Sequence, residues 1–412
     1  PNEYQALLKN EDGSSYSLTA LSTGGGMIEI IKFQGFPVSE DGGFHLALIE
    51  NPEFPADKEP DLPAQSQIIE AKGKKLLLIH SEKNFSAAEK ENMQCFASED
   101  IIYLNPVLPV RSQVTPKVPF TSVDGLIDYA EKYALSASDA ALAYEGARSG
   151  LSKAELLSMM DHILTTMEAA IENGIEGTVF DDRILGQQSH KLLDPSFQFV
   201  GGNLLRDIIS NTSAVMEVKS SLGTIVAAPT AGSCGVVPGT VLTVAKSLNA
   251  EREIVLRALF VAGLIGIFIA FDSTFSAELA GCQAECGSGS GMAAGALAYL
   301  MGGDLRQILN SAAMALQSLI GLVCDPVAGR VEVPCLGKNI LAGHNALACA
   351  NMALAGFDPV ILLSETIQAM DEAGRMLPAG LRCTTGAGLA NTDTSRQIGE
   401  ALSHKNSRPC QN

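Results

Sequence analysis

Cys282, Cys324 and Cys335 are the side chains whose type and setting could do metal chemistry. Cys324 and Cys335 stand eleven positions apart in Cys324-Asp325-Pro326-Val327-Ala328-Gly329-Arg330-Val331-Glu332-Val333-Pro334-Cys335, a turn-rich segment. Cys282 precedes Cys324 by forty-two positions, within Gly281-Cys282-Gln283-Ala284-Glu285. Three thiolates can hold a [4Fe-4S] cluster and leave one iron open. An open iron is a Lewis acid rather than an electron relay, which points to dehydration rather than redox chemistry. The spacing is neither the compact CxxCxxC run of a ferredoxin nor the paired CxxC of a zinc site. Free cysteine is often a small buried hydrophobe, so spacing alone leaves both readings open.

The words around the cysteines go further. Four blocks occur in order: Ala228-Pro229-Thr230-Ala231-Gly232-Ser233-Cys234-Gly235-Val236-Val237-Pro238-Gly239; Gly281 to Glu285 running on to Gly287, Ser288 and Met292-Ala293-Ala294; Gly321-Leu322-Val323 with the Cys324 to Cys335 segment; and Met352-Ala353-Leu354-Ala355-Gly356. With these blocks the chain resembles the iron-sulfur L-serine dehydratases, or L-serine ammonia-lyases. The resemblance covers roughly residues 120 to 395, that family's alpha domain. Ser22-Thr23-Gly24-Gly25-Gly26-Met27-Ile28-Glu29-Ile30 is similar to the end of its beta domain.

The resemblance implies a [4Fe-4S] cofactor with Cys282, Cys324 and Cys335 as its ligands. It also implies that Cys410, third from the end, could fold back onto the open iron in a resting state. Lys191 and Asn339 match a lysine and an asparagine of the family and are the catalytic candidates; His344 matches no family histidine. The reaction implied is loss of water from L-serine, or a close β-hydroxy amino acid, to give pyruvate and ammonia. An open iron would bind the hydroxyl, a base would remove the α-proton, and donors would stabilise the developing enolate-like carboxylate. Residues Thr230, Ala231, Gly232 and Ser233 lie in a glycine-rich loop that could turn backbone N–H groups toward a substrate carboxylate; the alternative is a helix-packing turn.

Three departures from the family pattern bear on the substrate. An Asn-Ala pair reads Lys219-Ser220, an Asn-Asn-Ala-Ser-Ile-Ser-Gly region reads Phe271-Asp272-Ser273-Thr274-Phe275-Ser276-Ala277, and Arg-Glu-Thr-Gly-Gln-Gly-Gly reads Arg382-Cys383-Thr384-Thr385-Gly386-Ala387-Gly388. Alternatives are therefore a cysteine desulfidase-type β-elimination, a non-catalytic regulatory or scaffold relative, and a pyridoxal-phosphate enzyme. The family's Ser-Ser-Ser-His-Thr-Ala-Gly segment does not occur, and the chain starts at Pro1. A fragment or a divergent short form is expected.

The elements that position these residues divide into an α+β N-terminal region and a large, mostly α-helical catalytic domain. Residues 1–60 alternate like strands and are read as a partial beta-domain-like region. Residues 61–118 are read as a small α+β module with a proline-rich linker, and residues 119–412 as an all-α cluster-binding domain. In the module, Lys75 to His80 and Ile101 to Leu104 are strands, and Ser86 caps a short helix. Ser152 to Asn173 carries apolar residues at helical spacing, with Gly174 expected to end it. The run Ala258 to Phe271 is short for a membrane span and is read as a buried helix, with Gly263 and Gly266 admitting neighbours.

The 412 residues carry a formal net charge of −18 and 46% hydrophobic residues, so the chain is globular and unsuited to nucleic acid or an anionic membrane. Nine cysteines with no signal peptide point to a reducing, cytoplasmic setting. The expected partners are a small-molecule amino acid, a second copy in a homodimer, and a separate beta-type subunit.

Overall fold

The structure, a computed structural model, describes residues 3–9, 15–24, 27–40, 42–54, 65–81, 83–97, 100–106, 117–194 and 196–406. Contacts divide the chain into two compact units, Pro1–Arg111 and Ser112–Asn412. The proline-rich stretches 51–65 and 106–119 fall largely outside the described residues, as do Gly25, Gly26 and Cys410.

The first unit holds two antiparallel sheets. Strands β1 (Glu3–Lys9), β2 (Ser15–Gly24), β3 (Met27–Phe33) and β4 (Phe36–Glu40) lie in that order. Strands β5 (His45–Glu50), β6 (Ser66–Ala71), β7 (Lys74–Ser81) and β8 (Ile102–Leu104) lie in the order β6-β7-β5-β8. β7 is buried on both faces because successive side chains point to opposite sides. Leu76 and Leu78 pack with Phe36, Leu46 and Leu48, while Leu77 and Ile79 pack with Ala47, Ile49 and Phe85. Helix α1 (Ala87–Gln94) covers the second face through Met93. Ser86 caps it, and Glu89 completes the capping box.

The second unit is helical, so the fold is α+β with a large helical unit after a small N-terminal region, as the residue pattern predicts. Its helices are α2 (Val123–Tyr133), α3 (Ala137–Ser149), α4 (Lys153–Glu176), α5 (Gly202–Ser220), α6 (Thr243–Ser247), α7 (Arg252–Asp272), α8 (Ala277–Ala280), α9 (Ser288–Leu300), α10 (Leu305–Gln317), α11 (Cys335–Leu354), α12 (Leu363–Met376) and α13 (Asp393–Asn406). Helix α9 is the hub, with α7, α10 and α11 packed against it. Its residues Ser288 to Ala298 are all buried, so it offers no polar face. The Gly-Ser alternation at its start is helix, not loop, because neighbours come close: a Cβ on Gly289 would lie 3.2 Å from Val236, and one on Gly291 3.1 Å from Leu316.

Helix α7 is longer than its apolar run of sequence, and 67% of its most apolar window is buried. By length and composition it could cross a membrane; here it packs against α3, α9 and α12. Gly266 admits Met292, whose Cε would lie 3.2 Å from an added Cβ, whereas Gly263 has no neighbour that close. Helix α4 does not end at Gly174. That glycine sits against α5, where a Cβ would come within 2.3 Å of the Ala214 carbonyl oxygen. The helix stops instead at Gly177, whose φ of +129° a side chain would resist.

Candidate functional site

Three separate pieces of chain carry the three cysteines into the interior of the helical unit. Cys282 lies in the turn between α8 and α9, before a π-helical segment Gln283–Gly287. Gly281 opens that turn at φ +74°, where an added Cβ would lie 2.6 Å from Leu377 and 3.0 Å from the Leu322 carbonyl. Gln283 N donates to that carbonyl at 3.0 Å, and Gln283 Oε1 accepts from Gly321 N at 2.8 Å. The Cys282 turn is thus fastened to the chain entering Cys324.

Cys324 is held from the other side. Its N–H donates to the Leu381 carbonyl at 2.8 Å, and its carbonyl accepts from Cys383 N at 2.9 Å. A parallel bridge pairs Cys324 with Arg382. Asp325 then joins two elements: Oδ1 accepts from Lys338 Nζ at 2.8 Å and Oδ2 from Leu389 N at 2.9 Å. Cys335 is the first residue of α11, after a cis Val333–Pro334 peptide. The buried Glu332 carboxylate accepts from Ile184 N and Leu185 N at 3.1 and 3.0 Å, fixing the strand of chain before it.

Asn339, one turn into α11, ties the site together. Its Nδ2 donates to the Cys335 and Gly232 carbonyls, each at 2.9 Å, and lies 3.5 Å from Cys286 Sγ. Its Oδ1 accepts from Gly235 N at 3.1 Å. The residues 230–233 form a short 3-10 turn capped by Thr230, whose Oγ1 accepts from Ser233 N at 3.2 Å. Thr230 Oγ1 also donates to Glu285 Oε1 at 2.8 Å. Gly232 is required by that closeness: a Cβ would lie 2.6 Å from Glu285 Oε1.

The site is buried and short of positive charge. Cys282, Cys324 and Cys335 are 2, 3 and 5% exposed. Burial, with a further contribution from Cys282, pushes the Cys335 thiol up to about 12. A hydrogen bond with Cys383, then burial and the charge of Cys282, holds the Cys324 thiol far above its ordinary value. Hydrogen bonding to Cys282, and burial, raise Cys286. Burial pushes the Glu285 carboxyl up to about 7, against the opposing effect of Thr230. The ammonium groups whose charge reaches Cys335 and Glu285 are Lys219 and Lys338. Lys219 donates to the Val331 carbonyl, and Lys338 to the Val323 carbonyl at 2.6 Å. Burial lowers Lys338, but Asp325 and the thiols outweigh it, so the lysine stays charged.

That donor set fits an iron-sulfur cluster. Three buried thiols and a buried carboxyl face two lysines, and a cationic iron core would supply the missing positive charge and let the thiols ionise. Among the described residues no three His, Cys, Asp or Glu side chains converge on a site for a single ion. A cluster differs from an ion in giving each thiolate its own iron, which spaces the sulfurs farther apart.

The other residues singled out in the sequence are placed as follows. Lys191 is exposed on the 3-10 turn Ser189–Leu193, donating to Gln188 Oε1 at 2.8 Å, apart from the thiols. His344 Nδ1 faces the Ile340 carbonyl at 2.8 Å inside α11. Asp272 and Thr385 are exposed. A groove of about 980 Å³ runs along α4, α5 and residues 242–255 and is lined by none of the site residues.

Two site residues were missed. Glu285 carried a signal, a lone carboxylate three residues after Cys282 in an otherwise small and apolar stretch. Cys383 was marked only as a departure from the family pattern, and nothing along the chain ties it to Cys324, fifty-nine positions away.

Residues 120–390 match the family model of the serine dehydratase alpha chain. The "Probable L-serine dehydratase, alpha chain" of Bacillus subtilis is 41% identical over 281 residues, covering 68% of this chain and 94% of that one. The L-serine dehydratase alpha chain of Peptoniphilus asaccharolyticus is 32% identical over 276 residues, covering 66% and 94%. L-serine dehydratase 1 of Escherichia coli is 32% identical over 288 residues, covering 68% of this chain and 63% of its own length. The chain belongs to the serine dehydratase alpha-chain family. Its first unit lies outside the residues that the family model matches.

Proposed function

We propose that this chain eliminates water from L-serine, giving pyruvate and ammonia, at a [4Fe-4S] cluster held by Cys282, Cys324 and Cys335. Its family makes it an enzyme of the L-serine ammonia-lyase type. The observation that carries the reading is the burial of those three cysteines, from three separate segments, beside Glu285 and two lysines.

When bound, the cluster supplies an open iron that makes the substrate hydroxyl a better leaving group. The chain's own residues do the rest. Glu285 carries the proton: it is a buried carboxyl held by Thr230 in the segment that follows Cys282. Thr230 holds Oε1 and leaves Oε2 to take the proton from the substrate Cα. The Ala231 and Gly232 N–H groups, with Lys219 and Lys338, stabilise the carboxylate as charge develops on it. Asn339 is a positioning residue that fixes the 230–233 turn against Cys335. A homodimer, a beta-type partner chain and a cytoplasmic setting belong to the same proposal; the alpha-chain designation of the relatives supports the partner.

Anaerobic reconstitution with iron and sulfide tests it. The expected result is a thiolate-to-iron absorption band that changes with L-serine, together with pyruvate formation. Cys335→Ser is expected to lose the band. No band in the parent protein, or turnover of L-cysteine in place of L-serine, overturns the reading.

A further inference from the structure

A second cysteine, Cys383, adjoins Cys324. The backbone sets them side by side: Cys383 N donates to the Cys324 carbonyl at 2.9 Å, next to the parallel bridge of Cys324 with Arg382, and the two thiols shift each other's titration. The bridge pairs Cys324 with Arg382, so Cys383 is the next residue along, one backbone hydrogen bond from Cys324.

We propose that Cys324 and Cys383 are a redox-closable pair, which a small disulfide converts to an intramolecular disulfide, withdrawing Cys324 from the cluster site. Access sets the order of events. Cys383 is half-buried, whereas Cys324 is 3% exposed. The Cys383 thiolate therefore attacks the reagent first, forming a mixed disulfide and releasing one reagent thiolate. The Cys324 thiolate then attacks the Cys383 sulfur and releases the second. The pair loses two electrons and two protons; the reagent disulfide gains them and leaves as two thiols. Cys282 also raises the Cys286 thiol, but both are buried, and no reagent reaches them.

The consequence for the cluster rests on the proposed ligand set; the disulfide itself does not. The test treats the cluster-free protein of all 412 residues with glutathione disulfide, alkylates free thiols, digests with trypsin and analyses the peptides by mass spectrometry. Residues 307–330 and 383–396 are separate tryptic peptides, and each contains one cysteine. The expected product is these two joined, two hydrogens lighter than their sum and separated by dithiothreitol. Cys383→Ser and Cys383→Ala should both abolish the cross-link, and Cys95→Ser should not. Recovery of both cysteines alkylated, or of Cys383 stopped at a glutathione adduct with Cys324 free, overturns the proposal. Iron uptake of the cross-linked protein is the second readout. Uptake that falls, and returns with dithiothreitol, supports the full proposal. A cross-link with unchanged uptake keeps the pair and removes Cys324 from the ligand set.

Discussion

Thr230 Oγ1 donates to Glu285 Oε1 across 2.8 Å, joining a turn before α6 to the π-helical segment that follows Cys282. Both residues are buried, Thr230 at 1% and Glu285 at 9% exposure. The pair places a titrating carboxyl beside the cysteines, and its protonation should be visible in stability before any cofactor is present.

Glu285 titrates near 7 in the fold against 4.5 as the ordinary value. A carboxyl raised in this way favours the fold while protonated. Its contribution is full below about pH 4.5 and is lost as pH rises through about 7. The gap is worth on the order of 3 kcal/mol. In iron-free protein, Glu285→Gln should flatten the fall in stability between about pH 5 and about pH 8 and be the more stable of the two at the higher pH. Urea denaturation at both pH values checks it; parallel pH dependence in the two proteins would sink the assignment.

Lys338 and Asp325 are a buried ion pair, 13 and 8% exposed, with Nζ to Oδ1 at 2.8 Å. Removing one partner strands the other charge. Lys338→Met should cost about 3–5 kcal/mol, and adding Asp325→Asn should recover part of it. A double-mutant cycle in denaturant reads the coupling directly.

Asn339→Ala leaves the buried Gly235 N–H without the Oδ1 that it donates to. A cost of about 1–3 kcal/mol is expected. Because the same side chain holds the 230–233 turn to Cys335, iron uptake should fall more than stability does. Iron content measured under conditions where the variant stays folded separates the two effects.

Gly281→Ala meets a backbone at φ +74° and a side chain 2.6 Å away. About 1–3 kcal/mol of strain is expected, delivered to the turn that carries Cys282. The melting temperature and the intensity of the reconstituted absorption band should fall together.

Much of the local structure is legible along the chain because it depends on near neighbours. Ser152 caps α4 with Glu155 completing the box, Ser86 and Glu89 repeat the device in α1, and β7 shows its apolar run. One glycine was misread. Gly174 looked like a helix stop, because a glycine chosen to admit a neighbour has the same letter as one chosen for its backbone. Only the position of Ala214 tells the two apart.

The sequence by itself determined the α+β class, the helical character of the large unit and the words that mark the family, because periodicity, capping and ordered motifs are written in adjacent residues. The tertiary structure alone decided which groups share the buried site. It brought Glu285 to Thr230, Lys338 to Asp325, Asn339 to Gly232 and Cys383 to Cys324, across separations of 55, 13, 107 and 59 positions. It left Lys191 on the surface. Electrostatic and hydrogen-bonding partners act through distances of a few ångströms in space, and no periodicity of the chain records which distant segments the packing of α9 and α11 brings within that reach.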